Sequence, residues 1–165
     1  MILRKVSIKD YTKINNLFKR NNMKMIPFKY WTKLWQKNPI LKNKKEYTKG
    51  WIIEREKKVI GHFGSFPTKY LLNNKSYICS VIHNWVVDKK FRYQSVLLLK
   101  KLFMQRNVDF FLSTTTNYNA GRLMEALNAK QIPAESLRYT SFIILDLRKF
   151  LKFIIKKKTL PFKQI

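Results

Sequence analysis

The chain lacks several features that mark common classes of protein. Its single cysteine, Cys79, leaves no partner for an internal disulfide, which is typical of a reducing compartment. No apolar run approaches the roughly 20 residues that a membrane span needs, and the first residues lack the apolar core of a secretory signal. We therefore expect a cytoplasmic protein.

Residue sets for several familiar chemistries are also missing. The one cysteine and two histidines have no metal-ligand spacing. There is no Walker-type Gly-Lys-Ser/Thr, no nucleophile elbow and no dinucleotide-binding Gly-x-Gly-x-x-Gly. The sequence therefore predicts neither a bound metal nor any of these three kinds of site.

Acidic residues are scarce. Nine Asp and Glu stand against 35 Lys and Arg, which gives a net charge of +26. Such a protein attracts anions: CoA, an acidic acyl carrier protein, nucleic acid or anionic lipid. Charge alone does not choose among them. The 45% hydrophobic and 15% aromatic content indicates a folded globular chain of one-domain length.

Hydrophobic periodicity and turn residues predict alternating strands and helices. The predicted elements are a strand over 2–8, a helix over 11–20, a helix from Pro27, strands over 51–54, 59–72 and 76–87, a helix from Ser95, a strand over 109–114, a helix over 120–127 and a strand over 137–147.

The junction after residue 87 has the clearest pattern. A buried strand ends at Val87, a polar turn covers 88–94, and an amphipathic helix opens at Ser95, a residue type that caps helix starts. Such a junction gathers backbone N–H groups at the positive end of a helix dipole, where a pyrophosphate binds well. Arg92 adds a permanent positive charge at this anion site.

The helix from Ser95 has a predicted apolar face. Its members are Val96, Leu97, Leu99, Leu102 and Phe103.

Residues 86–99, Val-Val-Asp-Lys-Lys-Phe-Arg-Tyr-Gln-Ser-Val-Leu-Leu-Leu, resemble the acyl-CoA-binding motif of the GNAT N-acetyltransferase superfamily. Arg92, Tyr93 and Gln94 match the opening of that motif, while Ser95 and Leu97 stand in its two glycine positions. The Ser variant resembles a divergent branch of the superfamily with Arg-x-x-Ser-x-x-Leu-Leu at this point.

The predicted order of elements over residues 2–147 is also the GNAT order. The resemblance implies an α+β, GNAT-like acyl-CoA N-acyltransferase fold, with a central mixed, mostly antiparallel sheet flanked by helices. It implies one such domain over 1–147, followed by a basic amphipathic segment over 148–165.

The resemblance further implies a site for acetyl-CoA or another acyl-CoA as donor. The oxyanion of the tetrahedral intermediate would receive a backbone N–H near Val86 or Val87. The implied donor-binding residues are Trp85, Val86, Val87, Arg92, Tyr93, Gln94, Ser95, Val96, Asn117 and Asn119. Asn117 and Asn119 are equally open to a helix-capping role.

A tyrosine that protonates the departing CoA thiolate in much of the family is replaced here by Met124. Tyr93 and Tyr118 flank the implied donor site, and either could take its place. We carry Tyr118 forward as the candidate catalytic acid.

His83 is the candidate general base. Along an alternating strand it shares a face with Trp85 and Val87. It lies four residues before Val87, where some related arylalkylamine-type enzymes carry a histidine, and imidazole titrates in the useful range. The alternative is a buried, hydrogen-bonded strand residue.

Candidates for the acceptor side are His62, Phe63 and Phe66 on the neighbouring strand, with ordinary core packing as the alternative. Glu54 could act as a base through water or form a surface salt bridge.

The predicted function is an N-acyltransferase in which an amine, with an amino sugar favoured, attacks the CoA thioester directly. Three alternatives remain open: a carrier-protein donor, an aminoacyl-tRNA acceptor, or an inactive module that binds nucleic acid. Apolar and basic residues over 147–162 could dock on the domain, form a homodimer or lie on an anionic membrane.

Overall fold

The computed structural model describes residues 1–41 and 47–132 of the 165-residue chain. Our predicted last strand over 137–147 and the basic segment after it lie outside these residues. The described part has no helix that is both long enough and apolar enough to cross a bilayer.

The chain forms two compact units, and each is described by itself. The first is Met1–Thr116, and the second begins at Asn117.

The order of elements agrees with the predicted order as far as the described residues extend. The elements are β1 (Ile2–Lys5), α1 (Tyr11–Arg20), α2 (Phe28–Trp35), β2 (Gly50–Arg55), β3 (Lys58–Leu72), β4 (Lys75–Val87), α3 (Ser95–Phe103), β5 (Phe110–Ser113) and, in the second unit, α4 (Tyr118–Glu125). Short 3-10 helices cover Ile8–Asp10, Pro39–Leu41 and Lys89–Gln94.

The five strands form one sheet in the order β1-β2-β3-β4-β5. The first three ladders are antiparallel, and β5 pairs with β4 in parallel. Asn73 and Asn74 turn the long β3–β4 hairpin with φ of +49° and +61°, which asparagine tolerates better than most residues. This mixed, mostly antiparallel sheet with flanking helices confirms the predicted GNAT-like α+β fold class.

Helices α1 and α2 cover one face of the sheet. Their inward residues recur at three- and four-residue spacing, as an amphipathic helix requires. The buried cluster that joins them to the strands contains Ile14, Leu17, Phe18, Trp31, Trp35, Ile52, Val59 and Val86. The β3 and β4 side chains on this face of the sheet therefore lie beneath the two helices.

Helix α3 packs against β2 and β3 on the other face. Its buried residues are Leu98, Leu99 and Leu102. The predicted apolar face is therefore partly wrong: Leu98 was omitted, while Val96, Leu97 and Phe103 are 44%, 37% and 39% exposed. A run of four consecutive apolar residues leaves the inward face of a helix ambiguous, and the sheet beneath it selects the face.

Candidate active site

Strand β5 ends at Ser113, opposite Ile82, and we call the open side of β4 beyond this pair the gap between β4 and β5. Their parallel ladder ends at the Ile82–Ser113 pair, yet β4 continues to Val87. Among the described residues, this end of β4 pairs with β3 alone. The Asp88 N–H donates to the Ile60 carbonyl on β3 at 2.8 Å. Because N–H directions alternate along a strand, the Val87 N–H points the other way, into the gap between β4 and β5.

A β-bulge interrupts β4 next to this gap. His62 pairs with Val86 and Gly64 pairs with His83, so β4 has one more residue than β3 over this interval. Asn84 accommodates the added residue by adopting a left-handed backbone conformation, with φ of +49°. Asparagine enters this region more readily than most residues, which explains its presence within a strand.

The bulge changes which side chains share a face. The His83 ring lies 5.4 Å from Phe66, which packs against the core beneath α1 and α2. The Trp85 ring instead lies 5.5 Å from Phe63, which is on the opposite face of β3. The prediction that His83, Trp85 and Val87 share a face is therefore wrong, because an added residue reverses the alternation.

Asn84 also joins the two histidines of the chain. The His62 Nδ1–H donates to the Asn84 carbonyl at 2.8 Å, and the Asn84 side-chain amide lies 3.0 Å from His83 Nδ1. The two imidazole rings are 6.3 Å apart. Both Nε2 atoms are buried and lack a hydrogen-bond partner within the described part of the chain.

Both histidines are neutral at physiological pH. Burial lowers the pKa of His62 to about 4. Burial, followed by charge repulsion from His62, lowers the pKa of His83 to about 3. Gly64 makes room for the His83 ring, because a Cβ at residue 64 would lie 2.5 Å from His83 Nε2. A neutral, buried imidazole can hydrogen bond to a substrate but is a weak proton acceptor.

The low pKa values of the two histidines predict that the folded protein loses stability in acid. Below the unfolded pKa near 6.5, the unfolded chain protonates both histidines while the folded protein keeps them neutral. The stability present above pH 6.5 is therefore lost as pH falls. Between pH 7.5 and 5.5 we expect the free energy of unfolding to decrease by about 2–3 kcal/mol for the two together. Urea denaturation at both pH values measures it.

His62→Phe is the matched variant for that experiment, since it fills similar space and does not titrate. The pH slope should fall to about half of the wild-type slope. A wild-type free energy of unfolding that stays constant from pH 7.5 to 5.5 would contradict a neutral buried pair.

The predicted polar turn is a 3-10 helix, Lys89–Gln94, that kinks at Phe91 and leads directly into α3. Gln94 therefore occupies the position before α3, with helical backbone and no side-chain cap. The Ser95 N–H donates to the Arg92 carbonyl. The prediction that Ser95 caps the helix is wrong, because helical backbone already precedes it.

Asp88 connects this segment to α1. Its carboxylate accepts hydrogen bonds from the Arg20 guanidinium at 2.9 Å and the Asn21 amide at 2.7 Å. Arg20 also donates to the Val59 carbonyl at 2.7 Å. The end of α1, the start of β3 and the exit of β4 are thereby held together.

The remaining predicted donor-binding residues of the first unit lie in the 3-10 helix Lys89–Gln94 or directly after it. Arg92 and Tyr93 are exposed, Gln94 and Ser95 are half-buried, and Val96 is exposed. The Arg92 side chain forms no ion pair within the described residues. Arg92 is therefore available to bind an anion.

The other three predicted site residues, Asn117, Tyr118 and Asn119, belong to the second unit. Asn117 caps α4, since its side chain accepts the Ala120 N–H at 2.9 Å. This confirms the capping alternative for Asn117. Tyr118 is 77% exposed and Asn119 is exposed.

Glu54 is engaged in ion pairs with Arg4 at 2.9 Å and Lys13 at 2.6 Å. Hydrogen bonds from Lys13 and Arg4 lower the pKa of the Glu54 carboxyl. The salt-bridge interpretation of Glu54 is confirmed.

Three features of the site were not anticipated from the sequence. Asn84 bridges the histidines, and Trp35 of α2 lies 5.8 Å from the His83 ring. An asparagine inside a long strand was an available signal for a bulge. The Arg20–Asp88 pair had no local signal, because the partners are 68 residues apart in sequence.

No protein-family model matches the sequence, and no curated protein matches it significantly. Solved structures do match the fold. A glucosamine-6-phosphate N-acetyltransferase from Arabidopsis thaliana is 16% identical with a TM-score of 0.59, over 88% of this chain and 98% of that one.

A predicted acetyltransferase from Clostridium acetobutylicum, solved with acetyl-CoA, is 17% identical with a TM-score of 0.60, over 90% of this chain and 97% of that one. An aminoglycoside acetyltransferase from an uncultured soil metagenomic sample is 12% identical with a TM-score of 0.53, over 87% and 95%. At these identities the likeness concerns the fold: this chain has the fold of the GNAT acetyltransferases.

Proposed function

We propose that this chain is an N-acyltransferase that moves an acetyl group from acetyl-CoA to an amine. The main support for this proposal is the direction of the Val87 N–H, which points into the gap between β4 and β5. The likeness to acetyltransferase structures, one of them solved with acetyl-CoA, supports the same assignment.

The chemistry follows from this gap. The neutral amine attacks the thioester carbonyl, and the resulting oxyanion accepts the Val87 N–H, whose direction is fixed by the β3–β4 ladder. The carbon–sulfur bond then breaks, the amine nitrogen releases a proton to water, and the CoA thiolate takes up a proton, so that no net proton is gained or lost. Arg92 would bind the donor phosphates, and Tyr118 remains our proposed proton donor to the thiolate.

His83 has a narrower role than its sequence position predicts. With a pKa of about 3, its imidazole holds a proton poorly at neutral pH. In this proposal the amine arrives already neutral, and His83 orients it by hydrogen bonding beneath Trp35 and Phe66. An amino sugar is our proposed acceptor, supported by the Arabidopsis structure, which is a glucosamine-6-phosphate N-acetyltransferase.

Calorimetric titration with acetyl-CoA at low and moderate salt tests the donor, with ATP as the anion control. We expect micromolar binding that exceeds ATP binding and persists at moderate salt, because a formed cleft contributes more than charge. Arg92→Gln should weaken acetyl-CoA binding, whereas Lys69→Gln, the same charge change on the β3–β4 hairpin, should not.

Equal, salt-sensitive binding of acetyl-CoA and ATP would remove CoA as the donor. Titration with an acidic acyl carrier protein and with single-stranded RNA would then separate the carrier-protein donor from the nucleic-acid module.

A further inference from the structure

The helices beside His83 carry charge of one sign. Residues 11–41 contain seven Lys or Arg and no Asp or Glu. Lys13 and Arg20 form ion pairs with Glu54 and Asp88. The exposed lysines of this segment that form no ion pair within the described residues are Lys19, Lys24, Lys29, Lys33 and Lys37.

Hydrogen bonds fix residues 11–41, which we call the cationic segment. Asn15 accepts the Ile26 N–H at 2.9 Å and donates to the Ile26 carbonyl at 3.1 Å, which attaches the loop bearing Lys24 to α1. The Trp35 Nε1–H donates to the Ser65 carbonyl at 3.2 Å, which fixes α2 over β3 beside His83. The two helices that carry the lysines are therefore fixed against the sheet that carries His83.

The described carboxylates of the first unit are engaged. Every one described within Met1–Thr116 has a hydrogen-bond or ion-pair partner. The five are Asp10, Glu54, Glu56, Asp88 and Asp109. The two histidines are neutral and add no charge of either sign.

We infer that the acceptor is a small amine that also carries a phosphate or carboxylate, and that polycationic amines are poor acceptors. This inference rests on the proposed function and specifies its substrate class. A surface with an excess of charge of one sign raises the local concentration and association rate of oppositely charged ligands. The same field repels a molecule with several ammonium groups.

Matched acceptor pairs test this. Acetyl transfer and equilibrium binding are measured for glucosamine with glucosamine 6-phosphate, for ethanolamine with phosphoethanolamine, and for the aminoglycoside sisomicin. We expect kcat/KM to be about tenfold higher for each phosphorylated member, mainly through KM, and lowest for sisomicin. The phosphate preference should shrink as salt is added.

The variant Lys29→Glu/Lys33→Glu reverses two exposed charges on α2. It should raise KM for the phosphorylated amines about three- to tenfold and should not raise KM for their unphosphorylated partners. Lys69→Glu/Lys75→Glu makes the same charge change on the β3–β4 hairpin and should have little effect. Equal effects of the two variants, or equal kcat/KM within each acceptor pair, would overturn the inference.

Binding separates this inference from the proposed function. If no amine is acetylated but phosphorylated amines bind more tightly in a manner that depends on Lys29 and Lys33, the charge selectivity stands and the transferase proposal fails. If the unphosphorylated amines or sisomicin are the better substrates, the transferase proposal stands and the selectivity fails. Binding of a single-stranded oligonucleotide that displaces both members of a pair would assign the segment to nucleic acid and overturn the inference.

Discussion

Val87→Pro is expected to lower kcat about 100-fold while leaving acetyl-CoA affinity and the fold largely unchanged. Proline removes the backbone N–H that points into the gap between β4 and β5. It leaves the β3–β4 ladder intact, because the hydrogen bonds to β3 beside it come from other residues, such as Asp88 to Ile60. Steady-state kinetics with acetyl-CoA, together with thermal melting, measure both effects.

Val86→Pro is the matched control. The Val86 N–H points toward β3, so the same substitution one residue earlier should destabilise the sheet rather than catalysis alone. If the proline ring itself perturbs the cleft, an ester replacing the Val87 amide by protein ligation removes only the N–H. Wild-type kcat in a folded ester variant would show that Val87 does not stabilise the oxyanion.

Gly50→Ala is expected to destabilise the protein by more than about 3 kcal/mol or to prevent folding. Gly50 begins β2 with φ of +107°, a conformation that residues with a Cβ rarely adopt. An added Cβ would lie 2.0 Å from the Phe63 carbonyl oxygen and 2.9 Å from Gly64 Cα, both backbone atoms. Urea denaturation of the purified variant measures the loss.

Gly61→Ala is the control from the adjacent strand. Its Cβ would meet only the side chains of Ile53 and Val87, at 3.3 and 3.4 Å, so a cost of about 1 kcal/mol or less is expected. Similar free energies of unfolding for the two variants would refute the assignment of the cost to backbone geometry at Gly50.

Much of the fold could be predicted from local patterns. The α1 stripe, the paired asparagines of the β3–β4 turn and the Asn117 cap all depend on residues close in sequence, whose spacing reports helix and strand periods directly. The order of elements, and hence the likeness to the GNAT fold, follows from these local signals. The salt-bridge alternative for Glu54 also required only a carboxylate at a strand end in a basic chain.

The arrangement of the site could not be predicted this way. The strand alternation that placed His83 beside Trp85 assumes an uninterrupted ladder, and a bulge depends on how β4 pairs with His62 and Gly64 of β3. The low pKa of each histidine likewise depends on packing by α1 and α2 rather than on sequence neighbours.

The sequence by itself determined the fold class, the strand–helix junction at Val87 to Ser95, and the excess of positive charge, because periodicity and composition are local or additive properties. Only the tertiary structure decided that a bulge at Asn84 changes which face of the sheet the last β4 residues occupy, that His62 and His83 form a neutral pair, and that the described carboxylates of the first unit are engaged. Those outcomes depend on contacts between residues far apart in the chain, and a bulge, a buried titration and an ion pair exist only once such residues meet.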